Sequence, residues 1–139
     1  GVDRWVSIHR FVEPSLREGL RRAAARSSVK IERCGGFVHR HIRHDESRPL
    51  SLHSYGCAVD INPKDNKARN VPRGSAPEPW GPEWMRLWPN GVDRAFVEAM
   101  ESVGFTWGGV WGTSGEDFTQ RAKGTSFFDP MHFELRLRG

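Results

Sequence analysis

Two short segments of the chain have patterns that predict β-strands, the first a largely apolar run and the second an alternation of apolar and polar residues. They are residues 57–62 (CAVDIN) and 131–137 (MHFELRL). Because successive side chains of a strand point to opposite faces, each strand has an apolar face and a face that bears ionisable groups. Asp60 lies on that second face of the first strand, and His132 and Glu134 lie on that of the second. If the two strands pair, Asp60 and His132 can meet on one surface.

Two other segments have the spacing of amphipathic helices. Residues 14–26 begin with a proline in the first turn and carry apolar residues at i, i+4 and i+8, namely Leu16, Leu20 and Ala24. Residues 92–103 place three apolar side chains on one stripe, namely Phe96, Val97 and Met100. Gly104 follows this second helix as its expected C-terminal stop.

The remaining segments are less regular. Residues 29–34 and 37–42 are β-rich runs on either side of Gly35 and Gly36, which predicts a hairpin or a bulged connection. Six prolines between residues 63 and 90 exclude regular structure over most of that stretch. The mixed order of elements predicts an α+β domain with a small, mainly antiparallel sheet and helices packed on one face.

Composition and charge limit the class of protein. The 139 residues are 37% hydrophobic and 27% charged, which fits one globular domain over residues 1–139. No apolar run approaches the ~20 residues of a membrane-spanning helix, so no membrane span is expected. The net charge is +4, and the excess lies in the first third of the chain. This basic region either meets an anionic partner or is a solvated helix face followed by loops.

The two cysteines have no spacing typical of a metal site. Cys57 lies in the apolar run of the first strand and is expected to pack as a small hydrophobic residue. A disulfide between Cys34 and Cys57 would require an oxidising compartment, and the sequence leaves that pairing open.

The candidate chemistry lies around the two predicted strands, residues 57–62 and 131–137. His53 precedes the first strand, and Gly56 permits a sharp turn that brings its side chain back toward Asp60. Two imidazoles and one carboxylate suit Zn²⁺, with ligand distances of about 2.0–2.2 Å and a fourth position left for water. The hypothesis is a catalytic zinc site made by His53, Asp60 and His132, on the face of the sheet opposite the helices. Asp129 is placed to act as a base toward the metal-activated water.

Each of these residues also has an ordinary structural interpretation. His53 taken alone is more often a loop histidine, Asp60 can cap a turn, and Asp129 before a proline is a common turn residue. Glu134 either orients His132 or pairs with an arginine. Three aromatic residues nearby either line a cleft or pack in the interior, namely Tyr55, Trp107 and Trp111.

The segments SLHSYGCAVDIN and FFDPMHFEL resemble a family of zinc peptidases. The family includes D-alanyl-D-alanine carboxypeptidases of the VanY type and phage L-alanyl-D-glutamate endopeptidases. Its pattern is Ser-x-His-x-x-Gly-x-Ala-x-Asp, followed much later by Asp or Glu-x-x-His. The segment GFTWGGVWG also resembles the Gly-Phe-x-Trp-Gly-Gly stretch that precedes the second motif in many members. The resemblance covers about residues 36–137.

The resemblance implies a set of site residues. It assigns three zinc ligands and one catalytic base, namely His53, Asp60 and His132 as the ligands and Asp129 as the base. Members of the family also use an upstream arginine that binds substrate and stabilises the oxyanion. Arg40 is the best match for it, and Arg43 is the alternative and a further substrate-binding candidate. Ser51 is expected to bind substrate or to brace the loop of His53.

The resemblance also implies a substrate and a place of action. The expected partners are peptidoglycan stem peptides, cut at L-Ala-D-Glu or D-Ala-D-Ala. The protein is expected to act at the bacterial cell wall, whether periplasmic, extracellular or delivered by a phage. It is expected to be a monomer. The alternative is a zinc-containing wall-binding module without catalysis. A third hypothesis, a nucleic-acid-binding protein or nuclease, is motivated by the histidines at 39, 41 and 44. No nucleic-acid-binding motif accompanies them, so no nucleic acid is expected.

Overall fold

A computed structural model describes residues 6–36, 52–72, 74–114 and 125–135 of the protein. Within these residues the helices are α1 (Glu13–Arg26), α2 (Pro82–Leu87), α3 (Arg94–Glu101) and α4 (Trp111–Ser114). The strands are β1 (Cys34–Gly35), β2 (Ala58–Ile61), β3 (Arg69–Pro72), β4 (Thr106–Trp107), β5 (Thr125–Phe128) and β6 (His132–Glu134). Two 3₁₀ helices cover Leu52–Tyr55 and Gly108–Val110. Among the described residues, no helix combines the length and the apolar composition that crossing a membrane requires.

Four strands form an antiparallel sheet in the order β1-β2-β6-β4. Its central strands pair so that Asp60 lies opposite His132 and Val59 lies opposite Phe133. This register confirms the pairing on which the sequence prediction depended. On the apolar face, the Phe133 ring lies 5.8 Å from the ring of Phe96 in α3. The predicted α+β fold, with helices on one face of a small antiparallel sheet, is therefore confirmed.

The helix predicted over residues 14–26 is α1, but its buried stripe differs from the predicted one. The buried residues are Leu16, Gly19 and Ala23. Ala24, predicted to face the core, is exposed. The reason is close packing on α3, because a Cβ at Gly19 would lie only 2.9 Å from Met100 Sδ and from Val103 Cγ2. The smallest residue of the helix therefore determines which face approaches its neighbour.

The helix predicted over residues 92–103 is α3, and its predicted stripe is buried. The Asp93 carboxylate caps its start by accepting the Phe96 N–H at 2.8 Å. The same carboxylate accepts the Ser27 hydroxyl at 2.8 Å, which ties the end of α1 to the start of α3. Gly104 follows the helix at φ +102°, a conformation that glycine adopts readily.

The strand predicted over residues 29–34 is wrong except at its last residue, where β1 begins. The side chain of Asn62 bonds the preceding backbone instead. Its amide oxygen accepts the N–H groups of Glu32 and Arg33 at 2.7 and 3.0 Å. Its amide nitrogen donates to the Lys30 carbonyl at 2.8 Å. One side chain thus satisfies backbone groups that a partner strand would otherwise have bonded.

Most of residues 63–90 is irregular, as the prolines predict, but the stretch also contains β3 and α2. β3 pairs with β5 in a separate two-stranded sheet that the sequence analysis did not predict. Pro72 is the last residue of β3, and Pro82 is the first residue of α2. At these positions a proline does not interrupt the hydrogen bonding of the element.

The structure shows whether Cys34 and Cys57 can form a disulfide. Cys34 lies opposite Ile61 in the sheet, and Cys57 is four residues before Ile61, immediately ahead of β2. That offset is about 13 Å, well beyond the ~7 Å limit for the Cα atoms of a disulfide. Both thiols are free, and Cys57 is buried in the core as predicted. Burial, together with the charge of Asp60, raises the pKa of the Cys34 thiol to about 11.

Part of the basic region is an exposed helix face whose charges are paired. Glu18 of α1 accepts hydrogen bonds from Arg21 at 2.6 Å and from Arg22 at 2.9 Å. These bonds lower the pKa of Glu18 to about 2. Arg17 pairs with Glu13 at 2.6 Å in the same way. For α1, the solvated helix face is therefore the better interpretation.

Candidate metal centre

A turn after the first 3₁₀ helix places His53. Gly56 has φ +68°, and its N–H donates to the His53 carbonyl at 3.1 Å, so the sharp turn predicted at this glycine is confirmed. The N-terminal segment packs directly on the turn, because the His9 N–H donates to the Gly56 carbonyl at 2.9 Å. A Cβ at Gly56 would overlap the His9 backbone. The turn therefore requires glycine both for its conformation and for this close contact.

Three donor atoms converge on the face of the sheet opposite α3: His53 Nε2, Asp60 Oδ1 and His132 Nδ1. The two nitrogens are 3.2 Å apart. Asp60 Oδ1 lies 3.3 Å from His53 Nε2 and 3.4 Å from His132 Nδ1. A tetrahedral zinc ion with bonds of about 2.0–2.1 Å holds its ligand atoms about 3.3–3.4 Å apart. The residues therefore fit zinc in both donor chemistry and spacing.

The other nitrogen of each imidazole is hydrogen-bonded to an acceptor. His53 Nδ1 lies 2.8 Å from the Gly36 carbonyl oxygen, and His132 Nε2 lies 3.1 Å from Glu134 Oε1. Since a carbonyl and a carboxylate only accept, each of these nitrogens carries a hydrogen. The nitrogen that faces the centre is then the one that can use its lone pair for a metal. Hydrogen bonds of this kind orient histidine ligands in metalloproteins.

The charges of the cluster are strongly coupled. Burial by itself would raise the pKa of Asp60, but hydrogen bonds from His132 and His53 outweigh it and hold that pKa well below its usual range. Burial disfavours the charged form of His132, but its bonds to Asp60 and Glu134, with the charge of Asp129, raise its pKa to about 10. A metal cation and a proton therefore compete for the same donor atoms.

Asp129 lies in the turn between β5 and β6, beside the centre. Its N–H donates to the Gly108 carbonyl at 3.0 Å, and its carbonyl accepts the His132 N–H at 3.1 Å. A Cβ at Gly108 would overlap the Asp129 carbonyl oxygen and lie 3.2 Å from the Cβ atoms of both Asp129 and His132. The glycine therefore lets the second 3₁₀ helix pack against this turn. This contact gives a physical reason for a glycine at this position of the GFTWGGVWG segment.

The sequence left undecided whether Tyr55, Trp107 and Trp111 line a cleft or pack in the interior, and the structure places them in different environments. Trp107 is buried, stacks on Trp80 at 5.2 Å and donates its N–H to the Pro130 carbonyl at 2.8 Å. It therefore packs in the interior. Tyr55 is exposed. Trp111 is partly exposed, and its ring lies 4.9 Å from that of His132.

The comparison with protein families decides the assignment. A family model described as D-alanyl-D-alanine carboxypeptidase matches residues 44–135, more than half of the chain. The chain belongs to this peptidase family. The matched region contains all three donor residues and Asp129, and the family is zinc-dependent. Searches of curated proteins and of solved structures found no significant match.

Several predictions for this carboxypeptidase-family chain concern residues that lie outside the described ranges. They are the substrate-binding roles of Arg40, Arg43 and Ser51, the histidine run at 39, 41 and 44, and the strand over residues 37–42. They stay predictions. The Gly36 carbonyl could not be predicted as the acceptor for His53, because every residue has a backbone carbonyl and the residue type does not mark this one. Gly36 precedes the matched region, so part of the support for the centre comes from outside the family motif.

Proposed function

We propose that the chain, as a single domain over residues 1–139, is a zinc metallopeptidase that hydrolyses peptide bonds in peptidoglycan stem peptides. The observation that carries this proposal is the triangle of donor atoms, with both histidines already oriented by their second nitrogens. His53, Asp60 and His132 would hold the metal. When bound, zinc supplies a Lewis acid that polarises a carbonyl and makes water acidic enough to act as a nucleophile near neutral pH.

Asp129 is the proposed general base, and the position of its backbone supports that role. Hydrogen bonds to Gly108 and His132 hold the residue beside the centre. Its negative charge contributes to the raised pKa of the His132 imidazole. From there it would accept a proton from the attacking water and return it to the leaving amine.

The remaining roles follow from the family. Arg40, with Arg43 as the alternative, would bind substrate and stabilise the oxyanion, and Ser51 would contact the substrate.

The Asp60 side chain is 24% exposed while both histidines are buried, so the centre is open to solvent at its carboxylate. The substrate bond is proposed to be L-Ala-D-Glu or D-Ala-D-Ala, and the place of action is the bacterial cell wall.

Digestion of purified muropeptides, followed by mass spectrometry, tests the activity and identifies the scissile bond. The zinc-loaded protein is expected to release products, and chelation is expected to abolish their release. Replacing Asp129 by Asn keeps the shape of the side chain but removes its basicity, so the rate should fall by about 10²–10⁴-fold. Asp129→Ala should give a similar loss, and both variants should retain zinc.

Two results would contradict the proposal. Full activity after chelation would exclude the metal mechanism. Firm binding to cell walls by a zinc-loaded protein that cleaves no muropeptide would favour the non-catalytic wall-binding module instead. Retained activity in Asp129→Asn would remove only the assignment of the base.

A further inference from the structure

Trp111 differs from three of the four other described tryptophans in what its indole N–H contacts, and the fourth, Trp84, is buried in the core. Trp80, Trp88 and Trp107 each donate their N–H to a backbone carbonyl, at 2.9, 2.7 and 2.8 Å. Trp111 is partly exposed, and among the described residues its N–H has no acceptor. A buried or half-buried indole N–H usually finds a partner. Trp111 is therefore a surface residue with an available donor next to the centre.

Two glycines beside Trp111 pack closely on aromatic rings of the interior. Gly112, the next residue, packs so closely on Phe128 that a Cβ there would overlap the phenyl ring. A Cβ at Gly109 would overlap the ring of Trp107 in the same way. The Trp111 ring itself lies 6.3 Å from the Phe127 ring. The chain on either side of Trp111 is thus packed closely against the interior, and the indole lies between the rings of Phe127 and His132.

That place is within reach of a bound peptide. The Trp111 ring centroid is 4.9 Å from that of His132, and consecutive residues of an extended peptide are spaced by about 3.8 Å. If the scissile bond lies at the donor atoms, the residue next to it can contact the indole. Both proposed bonds are flanked by alanine, whose methyl group fits against a flat aromatic face. The peptide also supplies carbonyl and carboxylate oxygens that can accept the indole N–H.

We propose that Trp111 is a substrate-binding residue that packs its indole face on the stem peptide next to the scissile bond and donates its N–H to a peptide oxygen. This inference rests on the proposed peptidase function and adds a specificity-determining residue to it. The family match alone does not assign this role.

Steady-state kinetics on a purified muropeptide test the proposal with two variants. Trp111→Phe keeps an aromatic face but loses the N–H donor, so its KM should rise by about threefold. Trp111→Ala loses both, so its KM should rise by about tenfold or more. In both variants kcat should stay within about threefold of wild type, because substrate binding rather than chemistry is affected. Phe11→Ala is the control, since Phe11 is an aromatic residue with 63% exposure on the N-terminal segment, and its KM should not change.

The outcomes separate this proposal from a supporting role in the fold. A fall in kcat or in zinc content with unchanged KM would mean that Trp111 only braces His132, and would overturn the proposal. An unchanged KM in Trp111→Ala would also overturn it. If wild type cleaves nothing, the peptidase function fails, and equilibrium dialysis of the same muropeptide decides the role of Trp111. Weaker binding by Trp111→Ala would then support the contact, whereas equal binding, or none by wild type, would refute it.

Discussion

The two histidines of the centre are oriented by different kinds of acceptor. His53 donates to a backbone carbonyl, that of Gly36, on a segment that precedes the family match. His132 donates to the carboxylate of Glu134, which lies two residues along the same strand and therefore on the same face. One acceptor is neutral and comes from a distant part of the chain. The other is charged and comes from the motif itself.

The difference indicates where the centre is sensitive to substitution. A carboxylate acceptor orients the imidazole and also makes it a stronger ligand, whereas a neutral carbonyl mainly orients it. The charge can be removed by changing one side chain at Glu134. The carbonyl can be displaced only by moving the backbone at Gly36. The His132 region is therefore expected to be more sensitive than the His53 region, and three substitutions test this comparison.

The largest effect is expected from Gly108→Ala, on the His132 side. The new methyl group would meet the backbone oxygen of Asp129, which no rotamer change can relieve. Since a displacement of about 1 Å at a catalytic group can reduce the rate about 10²-fold, we expect a loss of that order or more in kcat/KM. Gly35→Ala is the matched control, because a Cβ there meets nothing within 4 Å. Equal activities of the two variants would show that the Gly108 contact does not position the turn.

An intermediate effect is expected from Glu134→Ala. Losing the carboxylate leaves His132 Nε2 without its charged acceptor, so zinc affinity should fall by about 10–100-fold. Glu134→Gln keeps an acceptor oxygen without the charge and should lose less. Competition with a chromophoric chelator at fixed pH measures both variants. Wild-type affinity in Glu134→Ala would mean that the carboxylate has no role at the metal.

The smallest effect is expected from Gly36→Ala, on the His53 side. A Cβ there would overlap the Ser7 carbonyl oxygen and lie 2.6 Å from Val6 Cγ2, so the backbone at Gly36 or at Ser7 must move. We expect this movement to disturb the hydrogen bond from His53 to the Gly36 carbonyl. We expect zinc affinity to fall by about tenfold at most, because the lost acceptor is neutral. The same chelator titration checks it. A loss greater than that of Glu134→Ala would reverse the proposed order of the two sides.

The sequence predicted the centre better than its surroundings. Asp60 and His132 each lie on the face of a predicted strand that is opposite its apolar face, so the period of two brings them to one surface once the two strands pair. A glycine-permitted turn then accounts for His53. The acceptor for His53 could not be predicted, since it depends on how a distant backbone carbonyl packs.

The parts of the fold that were missed depend on contacts between distant segments. β3 and β5 are four residues each and pair with one another across more than 50 residues of sequence, so neither is recognisable alone. Residues 29–33 have strand-like composition, but the Asn62 amide bonds their backbone instead. In α1, the approach of α3 at Gly19 shifts the buried stripe from the one that spacing alone predicts.

The central claim is that His53, Asp60 and His132 bind one zinc ion through specified atoms. A crystal structure of the zinc-loaded protein, with anomalous data at the zinc edge, tests it directly. We predict one zinc peak about 2.0–2.2 Å from His53 Nε2, His132 Nδ1 and Asp60 Oδ1, with Gly36 and Glu134 still bonded to the other nitrogens. Zinc bound at another site, or bound through His53 Nδ1 or His132 Nε2, would contradict the account.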